Sequence, residues 1–130
     1  MEPMEQTIAA LTPLGERVCR ALSDKAGQLG VASSTQAIAP WAKAEFALSR
    51  DPYSGADSLI GTWRDRHGQA CGKIMFHGDG SAYAEFDILQ PHPRHPGMII
   101  VAIEAWLRDG VVKTDLQLFP EPGSEGICGP

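Results

Sequence analysis

Two carboxylates in the middle of the chain have the spacing of a chemical pair. Glu85 and Asp87 stand two residues apart in a stretch that alternates polar and apolar side chains, so both project from one face of a strand. Two carboxyl groups held this close can act as general acid and general base when burial drives their pKa values apart. The same alternation is typical of a solvated strand face beside Lys73 or Lys113, and the sequence favours this second interpretation.

Histidines offer another kind of chemistry. His92 and His95 lie three residues apart in a proline-rich loop, whereas a metal site needs three or four converging ligands. A sharper metal hypothesis adds His77 and either Glu85 or Asp87, if the sheet brings them to that loop. Only one pair is close in sequence, so we predict no bound metal and no cofactor. Under the metal hypothesis, His92 and His95 are the candidate ligands.

The chain lacks the short motifs that mark many enzyme classes. It has no GxSxG nucleophile elbow, no P-loop, no GxGxxG and no CxxC. The glycine-rich stretch 78–81 joins two predicted strands, whereas a phosphate cradle opens a helix. The candidate catalytic residues that remain are Glu85, Asp87 and His92, and the sequence favours a protein that is not an enzyme. Three tryptophans are interpreted as core or interface anchors rather than as a pocket lining: Trp41, Trp63 and Trp106.

An N-terminal amphipathic helix is expected to support the sheet that carries these side chains. Apolar residues recur there at steps of three, four or seven, as on one face of an α-helix: Ile8, Leu11, Val18, Leu22 and Leu29. Pro13 suits a first helical turn, Thr12 an N-cap and Gly30 a stop. The pattern predicts a helix over residues 13–29 and allows a short helical turn before it.

Two segments fit either a helix or a strand. Residues 40–50 could begin a helix at Pro40, but Ala44, Phe46 and Leu48 alternate with outward residues and a turn signal follows, which favours a strand. Residues 98–109 carry a helical Glu104–Arg108 pair. Their alternation nevertheless favours a strand with these residues on one face: Ile99, Val101, Ile103, Ala105 and Leu107.

The remaining segments are predicted as strands with short turns. A period of two places strands at residues 59–66, 73–77, 82–89 and 111–119. Residues 78–81 and Asp109-Gly110 are predicted hairpin turns, and residues 90–96 a surface loop, because each proline removes a ladder donor.

These elements predict an α+β fold with an N-terminal helix packed on a five- or six-stranded antiparallel meander sheet. We expect a single domain over residues 1–130, with the sheet over 44–119 and a flexible tail over 120–130. Such a sheet has exposed edges, which need closure, a covering element or dimerisation.

Composition excludes several classes of partner. With 43% hydrophobic and 21% charged residues the chain can build a core, and its net charge of −5 with scattered basic residues argues against nucleic acid and anionic membranes.

Three distant cysteines form no disulfide framework: Cys19 and Cys71 are interpreted as small buried apolar residues, and Cys128 lies in the tail. The N-terminus lacks the features of a signal peptide and no apolar run is long enough for a span, so we expect a cytoplasmic protein.

Two family resemblances accompany this fold prediction. The stretch Leu59-Ile60-Gly61-Thr62-Trp63 resembles the GxW start of lipocalin-like domains, which implies a ligand-holding barrel with the tryptophan at its base; such a barrel closes with about eight strands. The layout of a helix followed by strands with a DG-S hairpin resembles small bacterial immunity or antitoxin proteins, and the whole chain resembles small bacterial proteins without an assigned activity.

We therefore expect a small bacterial protein-interaction module that binds a protein partner or self-associates, through a sheet edge or a tryptophan-bearing surface. The alternative is a small-ligand or metal-binding module that uses the concave sheet face, with the 90–96 loop as its rim.

Overall fold

The computed structural model describes residues 3–31, 38–50 and 57–121. It contains helix α1 (Pro3–Leu29), a 3-10 turn (Trp41–Lys43) and six strands: β1 (Glu45–Arg50), β2 (Asp57–Arg64), β3 (Ala70–Phe76), β4 (Ala82–Pro91), β5 (Met98–Arg108) and β6 (Val111–Pro120). The strands pair antiparallel in chain order from β1 to β6, and α1 packs on one face of the sheet. The predicted α+β fold is confirmed, with six strands.

The end of α1 agrees with the sequence. Gly30 adopts φ +76°, a conformation that a side chain would disfavour. Its N–H donates to the Gly27 carbonyl at 3.1 Å, and the Val31 N–H donates to the Ala26 carbonyl at 3.0 Å. These two bonds form a Schellman cap, and the buried Val31 carries the chain away from the helix along the core.

The predicted start of this helix is wrong. α1 begins at Pro3 and continues through Pro13, and Thr12 is not an N-cap, because its Oγ1 donates to the Ile8 carbonyl at 2.7 Å. An internal proline disfavours a helix by about 3 kcal/mol relative to alanine. Packing offsets this penalty, since the N-terminal turns place partly buried side chains against the core: Met4, Ile8, Leu11 and Leu14.

Within residues 40–50, Glu45–Arg50 form the predicted strand, and a single 3-10 turn (Trp41–Lys43) precedes it. Ala44 and Phe46 pack against the core as expected. Leu48, which was also expected to point inward, is 56% exposed. The reason is that β1 is an edge strand, and at Leu48 its inner face borders an open cleft beside α1.

Residues 98–108 also form a strand, but its predicted inner face is only partly right. Ile103, Ala105 and Leu107 are buried as expected. A register shift between Ile100 and Ala102 inverts the alternation, as a β-bulge does. Ile100 is therefore fully buried, whereas the neighbouring Ile99 and Val101 are only half-buried.

β4 is longer than the sequence predicts. Gln90 and Pro91, which were expected in the 90–96 surface loop, pair with β5 instead. A proline is accepted there because the pairing of β3 with β4 ends at Phe86. Beyond that residue, β4 has a strand partner on one side only within the described part of the chain, so the missing N–H breaks no second ladder.

The sheet is open, and its largest fully buried side chain is Trp63. The Trp63 Nε1 donates to the Pro40 carbonyl at 2.8 Å, and its ring meets Phe86 edge-on with centroids 5.9 Å apart. β1 and β6 are the two edges of the sheet, whereas a closed barrel would pair them. The described residues therefore do not form the barrel that the lipocalin resemblance implies, and Trp63 belongs to an ordinary core.

The remaining expectations concern the cysteines, the tail and membranes. Cys19 is buried, as predicted, and Cys71 is half-buried; burial, with a smaller effect of the Glu16 charge, raises the pKa of the Cys19 thiol to about 12. Cys128 and the predicted tail beyond residue 121 lie outside the described residues. In the part of the chain described here, no helix combines the length and apolar character that a bilayer span requires.

Candidate functional site

The sheet face opposite α1, here called the outer face, carries the candidate carboxylates. Two rows of side chains cross it. The acidic row is Glu45, Thr62, Lys73, Glu85, Glu104 and Asp115, and the aromatic row is Ala47, Ile60, Met75, Tyr83, Trp106 and Lys113. None of these side chains is buried, which is the pattern of a sheet with one solvated face.

Glu85 is the most heavily bonded residue of this face. Its Oε2 accepts a hydrogen bond from the Tyr83 hydroxyl at 2.8 Å and another from Gln117 Nε2 at 3.1 Å. The Lys73 Nζ lies 4.0 Å from its Oε1. These partners stand on β3, β4 and β6, so the Glu85 carboxylate links three strands.

Tyr83 and Asp87 lie on either side of Glu85 in β4, and Glu85 raises the pKa of both. Burial raises the pKa of the Tyr83 hydroxyl, and its hydrogen bond to Glu85 raises it further. Burial and the Glu85 charge likewise raise the pKa of Asp87. Tyr83 also meets the 39%-exposed ring of Trp106, with centroids 5.6 Å apart. The predicted Glu85 and Asp87 share the outer face, but Glu85 is engaged in cross-strand contacts.

His92 lies at the far end of β4. Its backbone N–H donates to the Met98 carbonyl at 2.8 Å, and its Nδ1 accepts the Arg94 N–H at 3.0 Å. The Arg94 guanidinium donates to the Gln28 carbonyl near the end of α1 at 3.2 Å. The loop is thus fixed to the helix side, and the structure does not bring His92 together with either carboxylate.

The two candidate metal ligands do lie together. The rings of His92 and His95 meet edge-on with centroids 4.4 Å apart. Burial, followed by the charges of His95 and Arg94, lowers the pKa of His92. His77 lies before β4, at the opposite end from this pair. Within residues 3–31, 38–50 and 57–121, no three His, Cys, Asp or Glu side chains converge as metal ligands.

A cleft of about 370 Å³ opens between the N-terminal half of α1 and the sheet edge at β1. Apolar side chains form its walls, including Leu11, Leu14, Leu48 and Phe76, while Ser58 and Ser81 supply polar groups. It lies beside the turn that joins β3 to β4, whereas the 90–96 loop is at the other end of β4. The predicted rim is therefore not the rim of this cleft.

The sequence predicts exposed sheet edges, but it did not identify the outer edge of β6 as one of them. β6 is a ten-residue strand and the last in the sheet order, so only β5 pairs with it among the described residues. Three of its apolar side chains are 54%, 43% and 61% exposed: Val111, Leu118 and Phe119. The signal was available in principle, because the last strand of an unclosed meander is an edge.

The turn before β6 determines which backbone groups face that edge. Asp109 and Gly110 both have positive φ, 54° and 76°, and form a two-residue turn that closes on the Arg108–Val111 pair. Such a turn closes on a hydrogen-bonded pair, and the bonding direction then alternates along the strand. Between the turn and the register shift at Ile100/Ala102, the N–H and C=O groups that point away from β5 are therefore those of Val112, Thr114 and Leu116.

Comparison with protein-family models, with curated proteins and with solved structures finds no match to this chain.

Proposed function

We propose that this protein is a small cytoplasmic, non-enzymatic protein-interaction module whose contact element is the free edge of β6. The observation that carries the proposal is the long edge strand itself, with Val111, Leu118 and Phe119 exposed along it. An extended partner strand gains backbone hydrogen bonds at such an edge and buries alternate side chains. The net charge of −5 supports protein rather than nucleic acid or an anionic membrane as the partner.

Hydrogen bonds hold both ends of β6 in place without a partner. The Arg17 guanidinium of α1 donates to the Gly110 carbonyl at 2.9 Å, which ties the start of β6 to the helix. At the other end of the strand, the Glu121 N–H donates to the Gly97 carbonyl at 2.9 Å. A preformed edge loses little conformational entropy on binding, so more of the contact energy appears as affinity.

The polar residues of the outer face support a structural role more than a catalytic one. Glu85 is bonded to Tyr83 and Gln117 and lies beside Lys73. His92, the third candidate catalytic residue, is held in a loop against α1 through Arg94. Groups that act together in catalysis must lie within hydrogen-bond reach of one reacting atom, and His92 lies apart from Glu85 and Asp87.

A proline substitution at the edge tests the proposal. Thr114→Pro removes an N–H that points away from β5, so the fold is expected to persist while the edge loses a donor and gains a bulky ring. Thr114→Val is the matched control, because it keeps the N–H and the side-chain shape. We expect native mass spectrometry of gently purified protein to show a bound polypeptide with wild type and Thr114→Val, and at least about tenfold less with Thr114→Pro.

Circular dichroism of each variant establishes that the fold is kept. A wild-type protein that is strictly monomeric at high concentration, with no co-purifying polypeptide, would contradict the proposal. Equal binding by Thr114→Pro and Thr114→Val would place the contact elsewhere and contradict it as well.

The cleft beside α1 favours a second candidate function, the binding of a small, largely apolar molecule. Its volume of about 370 Å³ falls in the range of ligand pockets, which are mostly apolar with a few polar groups. An NMR titration with small apolar fragments is expected to shift the signals of Leu11, Leu14 and Leu48 selectively. Shifts spread over the whole surface, or none at all, would count against this candidate.

A further inference from the structure

When a strand pairs antiparallel with its own copy, the alternation of its side chains between the two faces limits the possible registers. Opposite residues in an antiparallel pair share a face of the sheet, and successive residues alternate between faces. When two copies of β6 pair about a two-fold axis, one residue at the axis must therefore lie opposite the same residue of the other copy. Of the ten residues of β6, centring on Asp115 or Leu116 pairs nine, centring on Thr114 or Gln117 pairs seven, and centring on Lys113 pairs five.

These five registers differ in the charges that they bring together. Centring on Lys113 or on Asp115 places two like charges directly opposite, which destabilises a strand pair. Centring on Leu116 places Lys113 opposite Phe119 and Asp115 opposite Gln117. Centring on Gln117 places Asp115 opposite Phe119 and leaves Lys113 outside the paired residues. Centring on Thr114 places Lys113 opposite Asp115 of the second copy, and the symmetry repeats this pair. This register pairs residues 111–117, so Val111 lies within the paired segment, whereas Leu118 and Phe119 lie beyond it beside the turn of the second copy.

The same register uses the backbone groups that face the edge. The outward N–H and C=O groups belong to Val112, Thr114 and Leu116, as the turn geometry requires. With Thr114 at the centre, it bonds to its own copy, and Val112 bonds to Leu116 on either side. That gives about six hydrogen bonds. Lys113 and Asp115 then form non-hydrogen-bonded pairs, whose Cα atoms approach most closely, to about 4.5 Å.

The charges of β6 are poorly matched within one chain. Asp115 lies opposite Glu104 of β5, and Lys113 lies opposite Trp106. Neither Lys113 nor Asp115 forms an ion pair within the described residues. Two acids opposite each other destabilise a strand pair. Lys113 of a second copy would place a positive charge beside Asp115 on the side of β6 that faces away from β5.

The two helices also fit in this arrangement. A two-fold axis perpendicular to the sheet places both α1 helices on one face. α1 packs most extensively over β5, and the β5 strands of the two copies are three strand spacings apart, about 14 Å. Packed helices approach to about 8–10 Å, so neither helix blocks the pairing.

From these observations we propose that the partner at the β6 edge is a second copy of this chain, paired about a two-fold axis at Thr114 with reciprocal Lys113–Asp115 contacts. This inference rests on the proposed function of β6. It predicts a continuous twelve-stranded antiparallel sheet with both outer faces on the same side.

Charge reversal tests the register directly. Lys113→Asp gives a copy with two acids at these positions, and Asp115→Lys gives one with two lysines, so each variant repels itself. We expect each single variant to raise the dimer dissociation constant at low salt by about tenfold or more. The double variant, and an equimolar mixture of the two single variants, should recover the dimer, the mixture as a heterodimer that native mass spectrometry resolves.

Lys43→Asp serves as the control, because it makes the same charge change at an exposed residue remote from β6; it should leave the dissociation constant unchanged. A monomeric wild type overturns the inference, and so does a dimer that resists both single reversals. If wild type instead binds a different polypeptide that Thr114→Pro releases, the second-copy inference falls while the proposed function stands. A dimer that persists in Thr114→Pro contradicts both.

Discussion

Gly15 and Trp41 show how one glycine in a helix can be required for packing. Gly15 is buried in α1, and a Cβ built there would overlap the ring of Trp41. That ring is held by Nε1 donation to Thr12 Oγ1 at 3.2 Å. It also meets Phe46 and Phe76, with centroids 4.8 and 5.8 Å away. The ring therefore has little freedom to withdraw.

We expect Gly15→Ala to destabilise the protein by about 1–3 kcal/mol, because overpacking outweighs the better helix propensity of alanine. Gly27→Ala is the matched control. A Cβ at Gly27 meets nothing within 4 Å, so this change should stabilise by about 0.5–1 kcal/mol. Urea unfolding followed by circular dichroism measures both. Equal effects from the two substitutions would show that the Trp41 ring moves freely.

Asp87 gives a prediction about pH. Burial and the Glu85 charge raise its pKa in the folded state, so folding favours the protonated form. The stability linked to this group is present below the unfolded pKa of about 4 and is lost as pH rises through the folded pKa.

Asp87→Asn removes this titration and should stabilise the protein at pH 7, by less than about 1 kcal/mol because solvent screens a partly exposed charge. The stability difference between Asp87→Asn and wild type should vanish near pH 3. Thermal unfolding at both pH values measures the difference, and an Asn variant that is less stable at pH 7 than wild type would refute it.

At the scale of elements, α1 consists of two unequal halves. Pro13 lacks the N–H that would bond to the carbonyl four residues earlier. Beyond it, Val18 and Leu22 are fully buried. The apolar residues before it are only partly buried. The N-terminal half is therefore held by fewer and weaker contacts.

Hydrogen exchange should resolve these halves. We expect amides before Pro13 to exchange at least about tenfold faster than those of residues 18–29, because local opening there disrupts less packing. Pro13→Ala should bring the exchange rates of the two halves closer together, because it restores the backbone hydrogen bond that Pro13 cannot donate. Uniform protection along α1 in wild type would mean that the helix opens as one unit.

At the scale of the whole molecule, the two edges of the sheet differ. Among the residues that the structure describes, β1 has six and β6 has ten, and α1 reaches the β5–β6 turn through Arg17. A long, straight edge invites pairing with another strand, and a short one much less. The asymmetry is consistent with one interaction edge per chain and hence with a closed two-fold assembly.

Such an assembly makes thermal stability depend on concentration. Mass action stabilises a dimer as protein concentration rises, so a hundredfold increase should raise Tm by about 5 °C or more for wild type. The Tm of Thr114→Pro should stay constant over the same range. A constant wild-type Tm would indicate that folding and association are not coupled.

Sequence periodicity determined the kinds of elements in this protein. The 3.6-residue stripe identified α1, and the period of two identified the strands, because side chains on one face repeat with the geometry of each element. Gly30 and Asp109-Gly110 marked ends and turns, since positive φ suits glycine there. The shared face of Glu85 and Asp87 followed from the same alternation.

Only the tertiary structure decided which contacts those elements make. Packing against the core carried α1 past Pro13, and the irregularity at Ile100 changed which side chains of β5 are buried. The bonding of Glu85 to Gln117 joins residues 32 positions apart, and no local pattern specifies that. That β6 is an edge among the described residues depends on the order and openness of the whole sheet, because a strand becomes an edge only when no other strand lies beside it.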